Sequence, residues 1–155
     1  MTVTVRFVRA ATVPRQLLLT ADPDWNHVQT YLATADCYGA FVGSVLAGVI
    51  VVAPQTNTSR EVVNLAVQPA FQHQGIAKLL LAAAIDAAHQ DAQCAALEVG
   101  TGNSSLRQLA LYQRAGFEMQ TVWPNYFVEH YPQPLFENQI QCKHMVRLRL
   151  ITATE

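Results

Sequence analysis

The stretch "EVVNLAVQPAFQHQGIAKLLL", residues 61–81, changes its pattern halfway along. Its first part is rich in β-branched residues up to Pro69, which is typical of a strand that a proline ends. Leucine and alanine then recur at a helical period from Gly75 onward. Glycine forms helices less well than alanine, so Gly75 either serves a tight turn or lets an anion approach the free N–H groups of the helix start.

The helix predicted after Gly75 runs to about Gln93. Its period places five apolar side chains on one face: Ile76, Leu79, Leu80, Ala83 and Ala87. Lys78, His89 and Gln93 fall on the opposite face. We therefore expect the first face to be the buried one.

Strand and helix patterns alternate along the rest of the chain. Strands are predicted at residues 3–11, at 37–42 and 45–53 as a hairpin, and at 94–100, 117–123 and 142–150, with broken helical pieces between 13 and 34. A short helix is predicted over residues 103–116, with Asn103 as its N-cap and Gly116 as the left-handed residue at its end. This order predicts a single mixed α/β domain over residues 1–155.

Composition excludes several classes of protein. Of the 155 residues, 51% are hydrophobic and 14% are charged, and the net charge is −1, so no basic stripe exists to bind a nucleic acid. The longest apolar run, residues 45–53, is too short to cross a bilayer, and the N-terminus lacks an apolar signal region. We therefore expect a cytoplasmic protein that binds neither nucleic acid nor membrane.

Metal and disulfide sites have no support in the pattern of cysteines. Cys37, Cys94 and Cys142 are widely spaced and include no Cys-x-x-Cys pair, and no histidine has a metal-ligand spacing with a second ligand. We expect no metal site.

Two other phosphate-binding motifs are disfavoured. No G-x-x-x-x-G-K-[ST] occurs, which excludes a P-loop nucleotide hydrolase. The stretch "GTGNSS", residues 100–105, follows a predicted strand, but Ser105 replaces the third glycine of a dinucleotide fingerprint. No acidic residue closes the following strand to bind a ribose.

Residues 61–81 resemble the acetyl-CoA segment of the GNAT (Gcn5-related) N-acetyltransferases. In that superfamily a strand leads into Q/R-x-x-G-x-G/A and a helix, and the signature stands here as Gln72, Gly75 and Ala77. Ala77 is a departure from the glycine found in many members, and its methyl group is small.

A second stretch, "NSSLRQLALYQRAGFEM", is similar to the "N…LY…GF" element of the same superfamily. Asn103, Tyr112, Gly116 and Phe117 occupy its positions. The resemblance covers roughly residues 4–150 and extends to one bacterial subgroup. It implies a central, mixed, mostly antiparallel sheet of about seven strands flanked by helices, and acetyl-CoA as cosubstrate.

The resemblance also implies which residues bind acetyl-CoA. The Leu65 N–H would polarise the acetyl carbonyl, and the main chain of Val67 would pair with the pantetheine arm. The diphosphate would bind the N–H groups of residues 73–78, with His73 lending its backbone rather than acting as a catalytic histidine. The full expected set is Leu65, Ala66, Val67, Gln72, His73, Gln74, Gly75, Ile76, Ala77, Lys78, Asn103 and Tyr112.

Acetyl transfer to an amine needs a base for the amine and a donor for the leaving thiolate. Tyr112 matches the family's tyrosine near the cofactor sulfur, and helix geometry places it away from the apolar Leu106 and Leu109; a packing aromatic is the alternative. Glu61 matches the base of the histone-acetylating branch, with a pKa that neighbouring valines would raise. Glu61 could equally be a solvated surface residue, and Glu98 is the competing carboxylate.

The acceptor is a small-molecule primary amine in the leading hypothesis, with direct transfer and no acyl-enzyme. A protein lysine or N-terminus is one alternative, and a non-catalytic acyl-CoA-binding module is another. Residues 124–141 form a long predicted loop that carries Tyr126, Phe127, Tyr131 and Phe136. An exposed loop of this composition is unfavourable, so we expect it to line the acceptor pocket or a homodimer interface.

Overall fold

The computed structural model of the protein describes residues 2–153. Its strands are Val3–Val8 (β1), Asp36–Val42 (β2), Val45–Pro54 (β3), Ser59–Val67 (β4), Ala96–Gly102 (β5), Glu118–Trp123 (β6), Leu135–Glu137 (β7), Ile140–Cys142 (β8) and Met145–Ile151 (β9). Its helices are Arg15–Ala21 (α1), Trp25–Leu32 (α2), Ile76–Gln90 (α3), Leu106–Arg114 (α4) and Tyr126–His130 (α5). No helix within residues 2–153 is long and apolar enough to span a membrane.

Seven strands form one sheet in the order β1-β2-β3-β4-β5-β9-β6, and β7 pairs with β8 in a separate hairpin. The prediction of a mixed α/β fold, with about seven mostly antiparallel strands flanked by helices, is confirmed. The chain divides into two compact units. The first contains the residues up to Leu97 together with the residues from Thr152 onward, and the second runs from Glu98 to Ile151. The single domain expected over residues 1–155 stays a prediction, and each unit is described by itself below.

Strand β3 is the centre of the first unit, where β1, β2, β3 and β4 pair antiparallel in chain order. Val49 and Val51 of β3 belong to the core under α1 and α2, together with Leu18 and Val28. Gly48 of β3 points to the other face, toward α3. Because helices cover both faces of β3, seven consecutive residues of the strand are buried, as expected for its continuous apolar run.

Helix α3 lies close to the sheet because β3 carries a glycine beneath it. A Cβ at Gly48 would be 2.9 Å from the carbonyl oxygen of Ala66 and 3.1 Å from Cδ1 of Leu80. It would also be 3.3 Å from Cγ2 of Ile76, the first residue of the helix. The missing side chain therefore fixes where α3 begins relative to the end of β4.

The buried face of α3 differs from the predicted one. Ile76 and Leu80 are buried as expected, but Leu79 is 44% exposed. Leu81, Ala84 and Ala88 complete the buried face. Alanine and leucine are spread around most sides of this helix, so its apolar pattern fits two neighbouring faces about equally well.

Strand β4 contains one extra residue relative to β3. Asn64 pairs with Val51, but Val62 pairs with the next residue, Val52, so Val63 is left without an opposite residue. Such a β-bulge shifts every later side chain by one position and thus exchanges the two faces of the strand. The sequence analysis did not predict it.

The second unit contains β6 paired antiparallel with β9, and α4. The segment predicted as a long loop, residues 124–141, is ordered into α5 and the β7–β8 hairpin. The hairpin turns through Asn138 and Gln139, which both have positive φ (55° and 63°). This turn uses the left-handed region without the Asn-Gly pair that usually marks it in a sequence, so the hairpin was missed.

We predict that Gly48→Ala destabilises the protein by about 1–3 kcal/mol, since the added methyl group overpacks the junction between β3 and α3. The added methyl group would lie too close to the backbone oxygen of Ala66 and to side chains of α3, so β4 or α3 would have to shift. Thermal or urea unfolding measures the loss. Ser44→Ala, in the exposed turn before β3, is the control and should change stability by less than about 0.5 kcal/mol. Equal stabilities for the two variants would contradict the close approach of α3.

Candidate functional site

The segment between β4 and α3 reverses direction in a short distance. A 3-10 turn at Pro69–Phe71 follows β4, and the side-chain amide of Gln72 donates to the carbonyl oxygen of Val67 at 3.1 Å. His73 (φ 64°) and Gly75 (φ 80°) both lie in the left-handed region. A non-glycine residue adopts this conformation at a cost, and such residues cluster at binding sites.

The start of α3 is open and has no side-chain cap. Gly75 occupies the N-cap position, and a Cβ added there would meet nothing within 4 Å. The structure describes no protein acceptor for the N–H groups of Ile76, Ala77 and Lys78. Backbone N–H groups that converge beside a left-handed residue at a helix start form an anion site. Residues 72–78 therefore fit a diphosphate through their main chain.

The first unit brings together most of the residues expected to bind the cosubstrate. They are Leu65, Ala66 and Val67 at the end of β4, Gln72, His73, Gln74 and Gly75 in the loop, and Ile76, Ala77 and Lys78 in the first turn of α3. Ala66 and Ile76 have exposures of 3% and 1%, so their side chains belong to the core. These two residues can offer only backbone groups to a ligand.

The bulge at Val63 places Glu61 on the same face of β4 as Asn64. Asn64 is opposite Val51, and Glu61 is opposite Ala53. Val51 and Ala53 both belong to the core under α1 and α2, and directly opposite residues point to the same face of an antiparallel pair. Three positions apart, Glu61 and Asn64 would lie on opposite faces of a regular strand.

A chain of hydrogen bonds, which we call the α2 polar chain, lies on that same face and was not predicted. Its members are His27, Asp22, Tyr31 and Asn64. His27 Nδ1 lies 2.6 Å from Oδ2 of Asp22, and the hydroxyl of Tyr31 donates to the same oxygen at 3.3 Å. The side-chain amide of Asn64 donates to the Tyr31 hydroxyl at 3.1 Å.

The hydrogen bond that His27 donates to Asp22 and the charges of the nearby carboxylates raise the pKa of His27 above its usual value, against an opposing effect of burial. The bulge places Glu61 on the face of β4 that carries the α2 polar chain, and its charge contributes to the raised pKa of His27. The sequence offered only a weak signal for this pair, namely an aspartate and a histidine five positions apart across a helix start.

Tyr112 is buried in the second unit and lies on a different side of α4 from Leu106, as predicted, but the buried side of the helix is the one that carries Tyr112. It is 4% exposed, whereas Leu106 is 48% exposed. Burial raises the pKa of the Tyr112 phenol. A phenol in this environment stays protonated at neutral pH and can only be a hydrogen-bond donor or a neutral acceptor.

The end of α4 explains why tyrosine, glycine and phenylalanine recur together in this motif. The N–H of Phe117 donates to the carbonyl oxygen of Tyr112 at 3.0 Å, and the N–H of Gly116 donates to that of Gln113 at 3.1 Å. Gly116 has a φ of 109°. This is a Schellman closure, and its apolar contact is the edge-on packing of Tyr112 against Phe117 at 5.8 Å between ring centroids. The predicted role of Gly116 is confirmed.

Asn103 does not cap α4, contrary to prediction, because the cap position belongs to Ser105. Oδ1 of Asn103 accepts from the N–H groups of Lys143 and His144 at 2.8 and 2.9 Å. Its amide donates to the carbonyl oxygen of Gln141 at 3.1 Å. Both polar groups of this side chain are therefore used to hold residues 141–144, through three hydrogen bonds. A direct role of Asn103 toward the cosubstrate stays a prediction.

Glu98 lies among arginines. Its carboxylate oxygens lie 3.7 Å from Nη2 of Arg147 and 4.0 Å from Nε of Arg149. Arg147 is 4% exposed and also lies over the ring of Trp123. A buried arginine requires a counter-charge, so Glu98 has a structural task as the anion of this group.

The aromatic residues of the 124–141 segment pack on one another. Tyr126 stacks on His130 at 4.1 Å between ring centroids and meets Phe127 edge-on at 5.2 Å. Phe127 and Tyr131 are 5.8 Å apart. Phe136 is 65% exposed, so the cluster does not cover every apolar side chain of the segment.

All three cysteines, Cys37, Cys94 and Cys142, are free and buried. Burial raises the pKa of Cys37 to about 11. Within residues 2–153 no three histidine, cysteine or carboxylate side chains come together as a metal ion would require.

Comparison with known proteins gives a consistent result. The family model for the acetyltransferase (GNAT) family matches residues 9–117. The uncharacterized N-acetyltransferase YvbK of Bacillus subtilis (strain 168) is 44% identical over 134 residues, which are 86% of this chain and 86% of the relative.

Two solved structures resemble the chain over nearly its whole length. An IAA acetyltransferase from Bacillus cereus ATCC 14579 has a TM-score of 0.92 and 37% identity, with 97% of this chain and 99% of that chain covered. A GNAT family acetyltransferase from Elizabethkingia anophelis, crystallised with acetyl-CoA bound, has a TM-score of 0.90 and 36% identity, with 96% and 97% covered.

We predict that Asn103→Ala loosens residues 141–144 and lowers stability by about 1–3 kcal/mol, because three main-chain groups of this segment lose their hydrogen bonds. Hydrogen exchange of the Lys143 and His144 amides should accelerate, since both donate to Asn103. Gln113→Ala, which removes an exposed side chain that bonds only within α4, is the control. Unchanged exchange at Lys143 and His144 would show that Asn103 does not hold the segment.

Proposed function

The chain belongs to the acetyltransferase (GNAT) family, with acetyl-CoA as its cosubstrate, and we propose that it transfers the acetyl group directly to the primary amine of a small molecule. The open helix start at Gly75, with main-chain donors and no side-chain cap, is the observation that carries the donor half of this proposal. The small acceptor rests on the aromatic composition of residues 124–141, because an aromatic segment suits a closed pocket and a peptide acceptor favours an open groove.

Each part of acetyl-CoA has a proposed partner in the first unit. The N–H groups of residues 73–78 would bind the diphosphate, and the main chain of Val67 would pair with the pantetheine arm. The Leu65 N–H would donate to the carbonyl oxygen of the acetyl group, where negative charge develops during attack. Because these contacts use the backbone, they depend on the course of the chain at Gly75 more than on neighbouring side chains.

We propose Glu61 as the base and Tyr112 as the donor to the leaving thiolate. Glu61 is half-buried on β4, and its side chain faces the α2 polar chain rather than α3. Tyr112 carries a phenol that burial keeps protonated. Glu98 is less suited to the task of a base, because loss of its charge would leave buried Arg147 without its anion.

We also propose a cytoplasmic homodimer. Met119, Val122 and Trp123 of β6 are each at least 42% exposed, and β6 is the last strand in the order of the sheet. An apolar edge of this kind is usually covered by a partner. Three free cysteines agree with a reducing compartment. A mass of one chain by light scattering would exclude the dimer, and cell fractionation tests the location.

We predict that the protein releases free thiol from acetyl-CoA when small primary amines are added, and that Gly75→Glu weakens acetyl-CoA binding by about a hundredfold or more. The glutamate would fill the space beside the N–H groups and repel the diphosphate. Thiol release and calorimetry measure the two effects. Gly43→Glu is the matched control, because Gly43 also has a positive φ (60°) and open space around it.

Equal acetyl-CoA affinity in Gly75→Glu and Gly43→Glu would place the cosubstrate elsewhere. If thiol is released with peptides that carry a lysine side chain or a free N-terminus, and with none of the small amines, the acceptor is a protein and not a small molecule.

We predict that Tyr112→Phe lowers kcat by roughly ten- to a thousandfold with unchanged acetyl-CoA affinity, because only the donor to the thiolate is lost. Tyr38→Phe is the control, since Tyr38 is a half-exposed tyrosine of β2. Glu61→Gln should lower kcat and flatten the acidic limb of the pH–rate profile. Glu98→Gln should retain that limb; the opposite pattern would assign the base to Glu98.

A further inference from the structure

The α2 polar chain begins at the surface and ends beside the proposed catalytic strand. The side chain of His27 is 47% exposed, whereas that of Asp22 is 8% exposed. Asn64, at the far end, is 4% exposed and its amide also donates to the carbonyl oxygen of Leu18 at 3.0 Å. The chain thus fixes the ring of His27 from its buried side and leaves the other side of the ring to solvent.

Two further contacts hold His27 in place. The Asp24 side chain caps α2 and accepts from the His27 N–H at 3.4 Å. The rings of His27 and Tyr31 meet edge-on at 5.7 Å between centroids.

The proposed reaction must dispose of one proton per turnover. The acceptor enters as an ammonium ion and leaves as an amide, so its nitrogen loses two protons. The leaving thiolate takes one of them to become the free thiol, and the other must reach the solvent. If Glu61 accepts that proton, it must discharge it before the next cycle.

We propose that His27, positioned by Asp22, accepts this proton from Glu61 through water and releases it to the solvent. The inference rests on the proposed function, since it needs Glu61 as the base. Glu61 reaches the face of His27 only because of the bulge at Val63. The proton moves from the Glu61 carboxyl to the free nitrogen of His27 and then to bulk water, so no other reactant is required.

The charged groups around His27 suit this transfer. Asp22, Asp24 and Glu61 are the carboxylates that act on it, and Tyr31 is the other titratable group in contact. The hydrogen bond to Asp22 and the charges of the three carboxylates raise the pKa of His27 above its usual value of 6.5, and a group with a pKa near the working pH exchanges protons most readily.

The test compares the wild-type protein with His27→Gln, Asp22→Asn and the control His89→Gln. His89 lies in the same unit, at the end of α3, and contacts the carbonyl oxygen of Thr152. We expect His27→Gln to lower kcat by about tenfold or more, with unchanged KM for acetyl-CoA, and free imidazole to restore part of the rate. We expect its acidic limb to move to lower pH, because a neutral His27 is needed to accept the proton in the wild-type protein and its raised pKa then sets the limb.

NMR titration of His27 tests the coupling without any turnover. The pKa of His27 should lie above 6.5 in the wild-type protein and fall in both Asp22→Asn and Glu61→Gln, because each removes a contribution that raises it. His27→Gln replaces a half-exposed side chain and should fold. Its kinetics therefore still test the relay if Asp22→Asn does not fold.

These outcomes separate the inference from the proposed function. A wild-type protein that releases no thiol with any amine contradicts the proposed function. If, in addition, the pKa of His27 is the same in Glu61→Gln as in the wild-type protein, the relay is overturned as well. If the wild-type protein is active, the relay is overturned when His27→Gln and His89→Gln have the same kcat and the same acidic limb of the pH–rate profile. A loss of rate that imidazole does not restore, with an unmoved limb, shows a structural role and overturns it too.

Discussion

One extra residue in β4 is the constraint on which the first unit depends. A regular strand would present Glu61 and Asn64 to opposite faces, so that one of them would point into α3. The bulge at Val63 keeps both on the side of α1 and α2 while Val62 still fills the core beneath α3. The Glu61 carboxylate and the α2 polar chain therefore lie on the same face of β4, and the opposite face of the strand still packs in the core.

The two halves of β4 use different chemistry. Around the bulge, the strand presents side chains to this face, with Glu61 on the side of the α2 polar chain and Asn64 bonded to Tyr31. After it, the strand leads into a loop where φ values and free N–H groups matter, and where the side chains of Gln72, His73 and Gln74 are exposed. A ligand bound at the second half is recognised by the path of the backbone, and a group bound at the first half by charge.

The elements with strong local signals could be predicted from the sequence, and those set by packing could not. The strand, loop and helix around Gly75 follow from proline, glycine and helical periodicity, and the Gly116 closure follows from its motif. The buried face of α3 could not be deduced, because alanine fits either face and Gly48 on another strand decides between them. Asparagine is a residue type that often caps helices, yet the partners of Asn103 lie about forty residues further along the chain, at Lys143 and His144. The bulge at Val63 leaves no local mark, since valine suits both regular and bulged strands.

The burial of every sulfhydryl group has a practical consequence for following the reaction. Cys37, Cys94 and Cys142 are at most 5% exposed, and burial raises the pKa of Cys37 and Cys142, so few of these groups are thiolates at neutral pH. Thiolate is the form that attacks disulfide reagents. The folded protein should therefore give almost no colour of its own with such a reagent, and any fast signal reports coenzyme released by turnover. A slow rise in enzyme-derived signal would, in the same cuvette, report unfolding.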